Sequence, residues 1–261
     1  MYVDTHCHLD HHEGLSPTEQ VERARAAGVG LMVTVGTDMA SSTRAIATAN
    51  RFDDVRAAVG IHPNDAIEAT PRVLEVIEQL AGDPVCVAVG ETGLDFYRDH
   101  TTPQQQEPSF RAHIEIAKRQ DRALVIHCRE AWQETLKVLD DQGAPDRVIM
   151  HCFSGDLEVT RQCVEAGYFV SFAGNVTFQN ATSLREAAAV VPPELLLTET
   201  DSPFLTPHPH RGEPNDPSFV PLTLQALAEV QGRASSELRS VVAANAERAF
   251  ALPVGGVLDP R

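Results

Sequence analysis

The sequence predicts one α/β domain over residues 1–261, folded as a slightly distorted (β/α)8 barrel of the TIM type. Eight short runs rich in Val, Ile, Leu and Ala alternate with helix-like segments. Such runs are typical of parallel strands that are buried on both faces. The length of 261 residues suits a single barrel. Five of the runs end at His, Glu or Asp, and the carboxyl ends of barrel strands are where active sites are built.

Each predicted element has a local signal. Ser16 and Pro17 start the first helix as N-cap and first residue. Pro71 starts a later helix, and Pro108 is expected to interrupt and restart the helix that begins near residue 104. The predicted strands cover residues 2–9, 31–36, 55–61, 85–90, 123–128, 147–152, 168–173 and 195–200, and further helices cover residues 39–50, 130–141, 156–166 and 183–191 and the C-terminal part. An open doubly wound sheet is the alternative, but it would gather functional residues at one crevice.

Composition and charge narrow the function classes. A formal net charge of −16 leaves no general basic surface for duplex DNA or anionic lipid. Five cysteines, without the spacing of a metal finger, fit a reducing compartment. A strand begins at Tyr2, so we expect no signal peptide, and no apolar run is long enough to span a membrane. We therefore expect a cytoplasmic, monomeric protein without membrane partners.

The first strand ends in a metal-ligand pattern. Side chains alternate between the two faces of a strand, so His6 and His8 share one face while Cys7 points to the other. This spacing suits two imidazoles on one ion. By the same parity Asp4 lies one layer deeper, where we expect it to accept a hydrogen bond from a ligand imidazole.

Equivalent strand ends carry further ligand-type residues. In a barrel they would meet at one mouth. Mixed imidazole and carboxylate ligation favours zinc, manganese or iron, and magnesium if carboxylates and water dominate. The candidate metal ligands are His6, His8, Glu91, His127, His151 and Asp201.

Six ligands exceed what one catalytic ion uses, so we expect two divalent ions (Mg, Mn or Zn) about 3.5–4 Å apart. One ion would take His6, His8 and Asp201. The other would take His127 and His151, with Glu91 between the two ions. Asp201 is expected to orient or deprotonate a water, which makes Asp201 and Glu91 the candidate catalytic residues.

Six motifs make the whole chain resemble the TatD-type metal-dependent deoxyribonucleases of the amidohydrolase-like barrel superfamily. The resemblance implies a two-metal phosphodiesterase acting on DNA, often from the 3′ end of single strands, in which Glu91 bridges the metals and Asp201 activates water. The motifs are residues 4–10 (DTHCHLD), 60–63 (GIHP), 90–95 (GETGLD), 127–130 (HCRE), 151–155 (HCFSG) and 199–205 (ETDSPFL).

Candidate substrate contacts lie beside these motifs. Arg129 shares strand parity with His127, and Arg211 lies in the loop after the eighth strand, so either could clamp a phosphate. His62 is a candidate hydrogen-bond donor to a phosphate. Glu199 is expected to support Asp201 from the layer below. Tyr97 or Phe96 is a candidate for stacking a base, although loop packing is the favoured explanation for both residues.

Three functions compete on this evidence. The first is a nuclease for single-stranded DNA. The second keeps the metals but cleaves amides or esters, as an aminoacyl-tRNA deacylase would. The third is a non-catalytic nucleic-acid-binding module, which a complete ligand set disfavours.

Overall fold

The computed structural model describes residues 1–253. Within them, eight strands form one parallel sheet in chain order and alternate with helices, which confirms the predicted (β/α)8 barrel. The strands are β1 (Tyr2–Cys7), β2 (Val29–Val35), β3 (Val55–Val59), β4 (Cys86–Asp95), β5 (Ala123–Arg129), β6 (Val148–Met150), β7 (Phe169–Phe172) and β8 (Leu196–Thr198).

The helices follow the strands as the sequence predicts. Ser16 and Glu19 form a reciprocal capping box at the first helix, with Pro17 as its first residue. None of the helices described is both long and apolar enough to cross a membrane. They are α1 (Pro17–Ala26), α2 (Met39–Ala49), α3 (Pro71–Ala81), α4 (Pro103–Gln120), α5 (Trp132–Gln142), α6 (Leu157–Glu165), α7 (Thr182–Val190), α8 (Val220–Val230) and α9 (Ser235–Ala249), with short 3₁₀ helices at Pro63–Glu68, Gly174–Thr177, Pro193–Leu195 and Pro217–Phe219.

The chain divides into two compact units. One contains Met1–Val33 and the described residues from Cys152 onward, and the other contains Thr34–His151. Both contain fully buried apolar side chains. Phe153 and Phe172 are fully buried in the first unit, as are Phe110 and Ile114 in the second. The assignment of residues 1–261 to a single domain stays a prediction.

The fourth strand is longer than predicted. It does not end at Gly90 but continues to Asp95, with a shift in register against β5 between Val89 and Thr92. Glycine is required on both sides of this irregularity because β4 approaches β5 closely. A Cβ on Gly90 would lie 2.4 Å from the Val125 carbonyl oxygen, and Gly93 is equally tight against β5. The two glycines therefore extend the strand instead of ending it.

Two helix predictions also differ from the structure. Pro108 does not restart a helix, because α4 runs through it from Pro103 to Gln120. Proline inside a helix costs about 3 kcal/mol, and the burial of Phe110 and Ile114 on the same helix offsets that cost. The helix expected from residue 130 begins two residues later at Trp132, since Glu130 has a positive φ of 54°.

Candidate metal centre

The first group of candidate ligands lies in the first unit, where the end of β1 meets the loop after β8. Cys7 pairs with Ser202 in a parallel bridge, and the His8 N–H donates to the Ser202 carbonyl at 2.8 Å. One step away, the Asp201 N–H donates to the His6 carbonyl at 2.9 Å. These backbone hydrogen bonds bring residues that are nearly 200 positions apart in the sequence to one place.

The side chains of this group converge as ligands of one ion would. The Nε2 atoms of His6 and His8 are 3.3 Å apart, and Asp201 Oδ1 lies 3.8 Å and 3.6 Å from them. Ligands bound at about 2.0–2.2 Å from one ion are themselves about 3–3.5 Å apart. His6 and His8 are buried, and Asp201 keeps a small exposed fraction. The donor set and its spacing therefore fit a divalent ion.

Asp4 supports this group differently from the prediction. Within the described residues its hydrogen bonds go to the His6 backbone N–H and to the N–H and hydroxyl of Thr200, not to an imidazole ring. The prediction of an imidazole contact is wrong because two backbone N–H groups and the Thr200 hydroxyl occupy the Asp4 oxygens. Burial raises the pKa of Asp4 to about 8, against hydrogen bonds from Thr200 and His6 that lower it. Asp4 thus ties β1 to the loop that carries Asp201.

Glu199 is fully buried in the same unit. Its Oε1 accepts the Cys152 N–H at 2.9 Å, which holds the chain directly after His151. This hydrogen bond fits the predicted supporting role better than the role of a base that meets solvent.

The second group lies in the second unit around Glu91. Glu91 Oε1 is 2.8 Å from His127 Nδ1 and 3.1 Å from His151 Nε2. Burial would raise the pKa of Glu91, but its close contacts with the imidazoles of His151, His62 and His127 hold it well below its usual range. Glu91 is therefore an ionised carboxylate between two imidazoles, and its donor set fits a second divalent ion.

His62 stands beside Glu91 with a different hydrogen-bonding state. Its Nδ1 accepts the Asn64 N–H at 3.1 Å, so a neutral ring must carry its proton on Nε2, which lies 3.5 Å from Glu91 Oε1. Burial lowers the pKa of His62 to about 4 in spite of the Glu91 charge. By position His62 could join Glu91 and His127 around an ion, but a protonated Nε2 favours the donor role that the sequence predicts.

Arg129 and Arg211, the two candidate phosphate contacts, each stack on an aromatic ring in their own unit. The Arg129 guanidinium carbon lies 3.7 Å from the centre of the Tyr97 ring, and that of Arg211 lies 3.7 Å from the Phe178 ring. Tyr97 is 53% exposed, so packing against Arg129 covers part of its side chain and leaves part open to solvent. Both arginines keep donor atoms for an anion while their planes are fixed by stacking.

Sequence reasoning missed two residues. Asp95 accepts from His127 Nε2 at 3.3 Å and is almost fully buried. Its parity with Glu91, four positions earlier, is the signal that could have identified it. Phe204 is 54% exposed and its ring centre lies 6.1 Å from that of His8. No comparable sequence pattern identifies Phe204, because strand parity does not apply to an exposed residue in a loop.

Comparison with known proteins shows similarity to metal-dependent hydrolases over nearly the whole chain. Residues 3–251 match the family model described as TatD related DNase. An uncharacterized metal-dependent hydrolase TatD of Mycobacterium tuberculosis is 44% identical, with 96% of this chain and 98% of the relative covered. A protein of Klebsiella pneumoniae named 3′-5′ ssDNA/RNA exonuclease TatD is 35% identical, over 92% of this chain and 93% of that protein.

A solved structure agrees at the level of the fold. The TatD homologue YjjV of Escherichia coli K12 superimposes with a TM-score of 0.90 at 29% identity, with 97% of this chain and 98% of the other covered. The chain belongs to the TatD-related DNase family and is a metal-dependent hydrolase.

Proposed function

We propose that this protein is a 3′-5′ exonuclease that hydrolyses phosphodiester bonds in single-stranded DNA with the help of two divalent ions. The observation that carries the proposal is the presence of two separate sets of imidazole and carboxylate donors. In the first set, the donor atoms of His6, His8 and Asp201 lie 3.3–3.8 Å apart. In the second, Glu91 lies 2.8 Å from His127 and 3.1 Å from His151. The names of the relatives from three enterobacteria, 3′-5′ ssDNA/RNA exonuclease, support the choice of substrate and polarity.

The proposed ligand sets divide between the two units. His6, His8 and Asp201 would hold one ion, and Glu91, His127 and His151 would hold the other, with manganese, magnesium or zinc as candidates. Bound divalent ions supply positive charge for the phosphate oxygens and make a water more acidic. The Asp201 carboxylate, which keeps 15% of its side-chain surface exposed, orients that water or accepts its proton.

The residues around the ligands suit a single-stranded polyanion. His62 offers an imidazole N–H, and Arg129 and Arg211 offer bidentate guanidinium groups for phosphates. The side chains of Tyr97 and Phe204 are about half exposed, and bases of a single strand stack on exposed aromatic rings without sequence preference. A net charge of −16 argues against a long duplex, and a strand bound by its end meets fewer of those charges.

The nuclease assay is designed around strand ends. The protein with Mn²⁺ or Mg²⁺ should release mononucleotides from linear single-stranded DNA, leave circular single strands intact and stop when EDTA is added. A 3′-terminal phosphorothioate should slow the reaction, and a 5′-terminal one should not. Rapid cleavage of circles would contradict an exonuclease.

The role of Asp201 is tested by Asp201→Asn, which keeps the shape but not the charge. We expect a loss of at least about 100-fold in kcat. Glu22→Gln removes the same charge from an exposed site on α1 of the same unit and is the control. An Asp201→Asn protein that cleaves at the parent rate would refute the assignment. Release of a free carboxylate from esters or aminoacyl-tRNA, with intact DNA, would favour the second hydrolase function instead.

A further inference from the structure

We propose that Asp95 is a positioning residue that keeps the proton of His127 on Nε2, so that Nδ1 is the atom with which His127 binds its metal. The inference rests on the proposed metal-binding role of His127 and concerns a residue that would touch neither metal nor substrate.

The geometry around His127 assigns a different partner to each ring nitrogen. Nδ1 lies 2.8 Å from Glu91 Oε1, among the candidate ligands, and Nε2 lies 3.3 Å from Asp95 Oδ2 on the opposite side. The ring of His127 is held between these two carboxylates. Only the nitrogen on the Glu91 side is therefore directed at the other donor atoms of the group.

The chemistry of a neutral imidazole makes the two ends depend on each other. The ring carries one proton, and the nitrogen without that proton is the one that can bind a metal. An ionised carboxylate can only accept a hydrogen bond, so Glu91 and Asp95 compete for the ring proton as long as no ion is bound. When Glu91 holds the proposed ion, Asp95 is the remaining acceptor, and the proton lies on Nε2. Nδ1 is then unprotonated on the side of Glu91.

Asp95 itself is fixed by the backbone around it. Its Oδ1 accepts the N–H groups of Tyr97 and Arg98, each at 2.9 Å, which leaves Oδ2 for His127 and, at 3.5 Å, for the NH₂ group of Asn64. The side chain of Gln106 accepts from the Asp95 N–H and donates to its carbonyl, both at 2.9 Å. Both oxygens of the Asp95 carboxylate thus have set directions before any metal binds.

Replacing Asp95 with Asn would reverse the proton position with little change of shape. The amide oxygen would keep the two backbone hydrogen bonds, and the amide NH₂ group would then face His127 Nε2. An NH₂ group donates, so Nε2 would have to accept and the proton would move to Nδ1. That proton would point at Glu91 and block the ligand atom.

The first experiment measures metal binding without any substrate. Calorimetric titration of metal-free protein with Mn²⁺ should show affinity at one of the two sites reduced by about 10- to 100-fold in Asp95→Asn. Glu75→Gln, an exposed charge removal on α3, should bind as the parent does. Equal affinity in Asp95→Asn and the parent would overturn the inference.

The second experiment needs no variant. In parent protein labelled with ¹⁵N-histidine and loaded with ¹¹³Cd²⁺, we expect cadmium coupling at Nδ1 of His127 and a proton on its Nε2. Coupling at Nε2 would overturn the inference. If Nδ1 is the ligand and the protein nevertheless fails to degrade DNA, the proposed nuclease function fails while the role of Asp95 stands.

Discussion

His113 makes the stability of the second unit depend on pH. The residue is fully buried on α4. Its Nε2 accepts the Ile61 N–H at 3.0 Å, so Nδ1 carries the proton and donates to the Ser109 carbonyl at 2.7 Å. Protonation of Nε2 would break the hydrogen bond to Ile61 and leave a charge in the core. Burial accordingly lowers the pKa of His113 from 6.5 to about 4, although the hydrogen bond to Ser109 raises it in part.

The sign of the effect follows from the lowered pKa. Below about pH 6.5 His113 is protonated in the unfolded chain, whereas in the folded chain it stays neutral down to about pH 4. The free energy of unfolding therefore decreases as the pH is lowered through this window. Between about pH 7.5 and about pH 5 the loss amounts to about 2 kcal/mol.

The measurement compares urea unfolding of the parent with that of His113→Gln, in EDTA, at both pH values. Glutamine can accept the Ile61 N–H but does not titrate, so the stability advantage of the parent should shrink by about 2 kcal/mol at the lower pH. His100→Gln removes an exposed histidine from the same unit and should leave the difference unchanged. A parent and a His113→Gln protein with parallel pH profiles would refute the reasoning.

Two further predictions concern β4 and the rim. Gly93→Ala places a Cβ 2.0 Å from the His127 carbonyl oxygen at a φ of 138°, and should lower the free energy of unfolding by about 3 kcal/mol or more. Gly143→Ala is the control, because its φ is also positive but the nearest atom to its added Cβ lies 3.6 Å away. It should lower the free energy of unfolding by about 1–2 kcal/mol. Equal losses in the two variants would contradict the packing argument. Tyr97→Ala should raise KM for single-stranded DNA at least about fivefold without changing kcat. Ile67→Ala, which also truncates an exposed apolar side chain, should leave KM unchanged. An unchanged KM in Tyr97→Ala would exclude base stacking on Tyr97.

The alternation of strands and helices is predictable because apolar runs and helix caps are local signals. The strand boundaries that matter for the site are not local. Gly90 and Gly93 would end most strands, but here the carbonyl oxygens of β5 come so close that only glycine fits, and the strand continues. This close approach depends on the tertiary structure, and the register between β4 and β5 shifts around Glu91.

The identity of the candidate ligands is predictable because it too depends on local signals. The hydrogen bonds that hold the ligands in place are not predictable in this way. Strand parity places His6 with His8, and a histidine or acid at each strand end suggests a common site. The partner of Asp4 depends on the path of the chain at Thr200, nearly 200 residues away in the sequence. Parity predicts the face on which a side chain lies but not the atom that it meets there.

Three histidines of the second unit show what decides their chemistry. A backbone N–H occupies Nδ1 of His62 and therefore leaves its Nε2 as a donor, whereas a backbone N–H occupies Nε2 of His113 and leaves its Nδ1 to bond within the helix. At His127 the partner of Nε2 is a carboxylate, an acceptor, and the opposite nitrogen faces the other candidate ligands. The same side chain thus becomes a donor, a packing element or a ligand according to one hydrogen bond. At His127, where the deciding partner is a side chain, a substitution of Asp95 tests the chemistry of the ring without removing the ring.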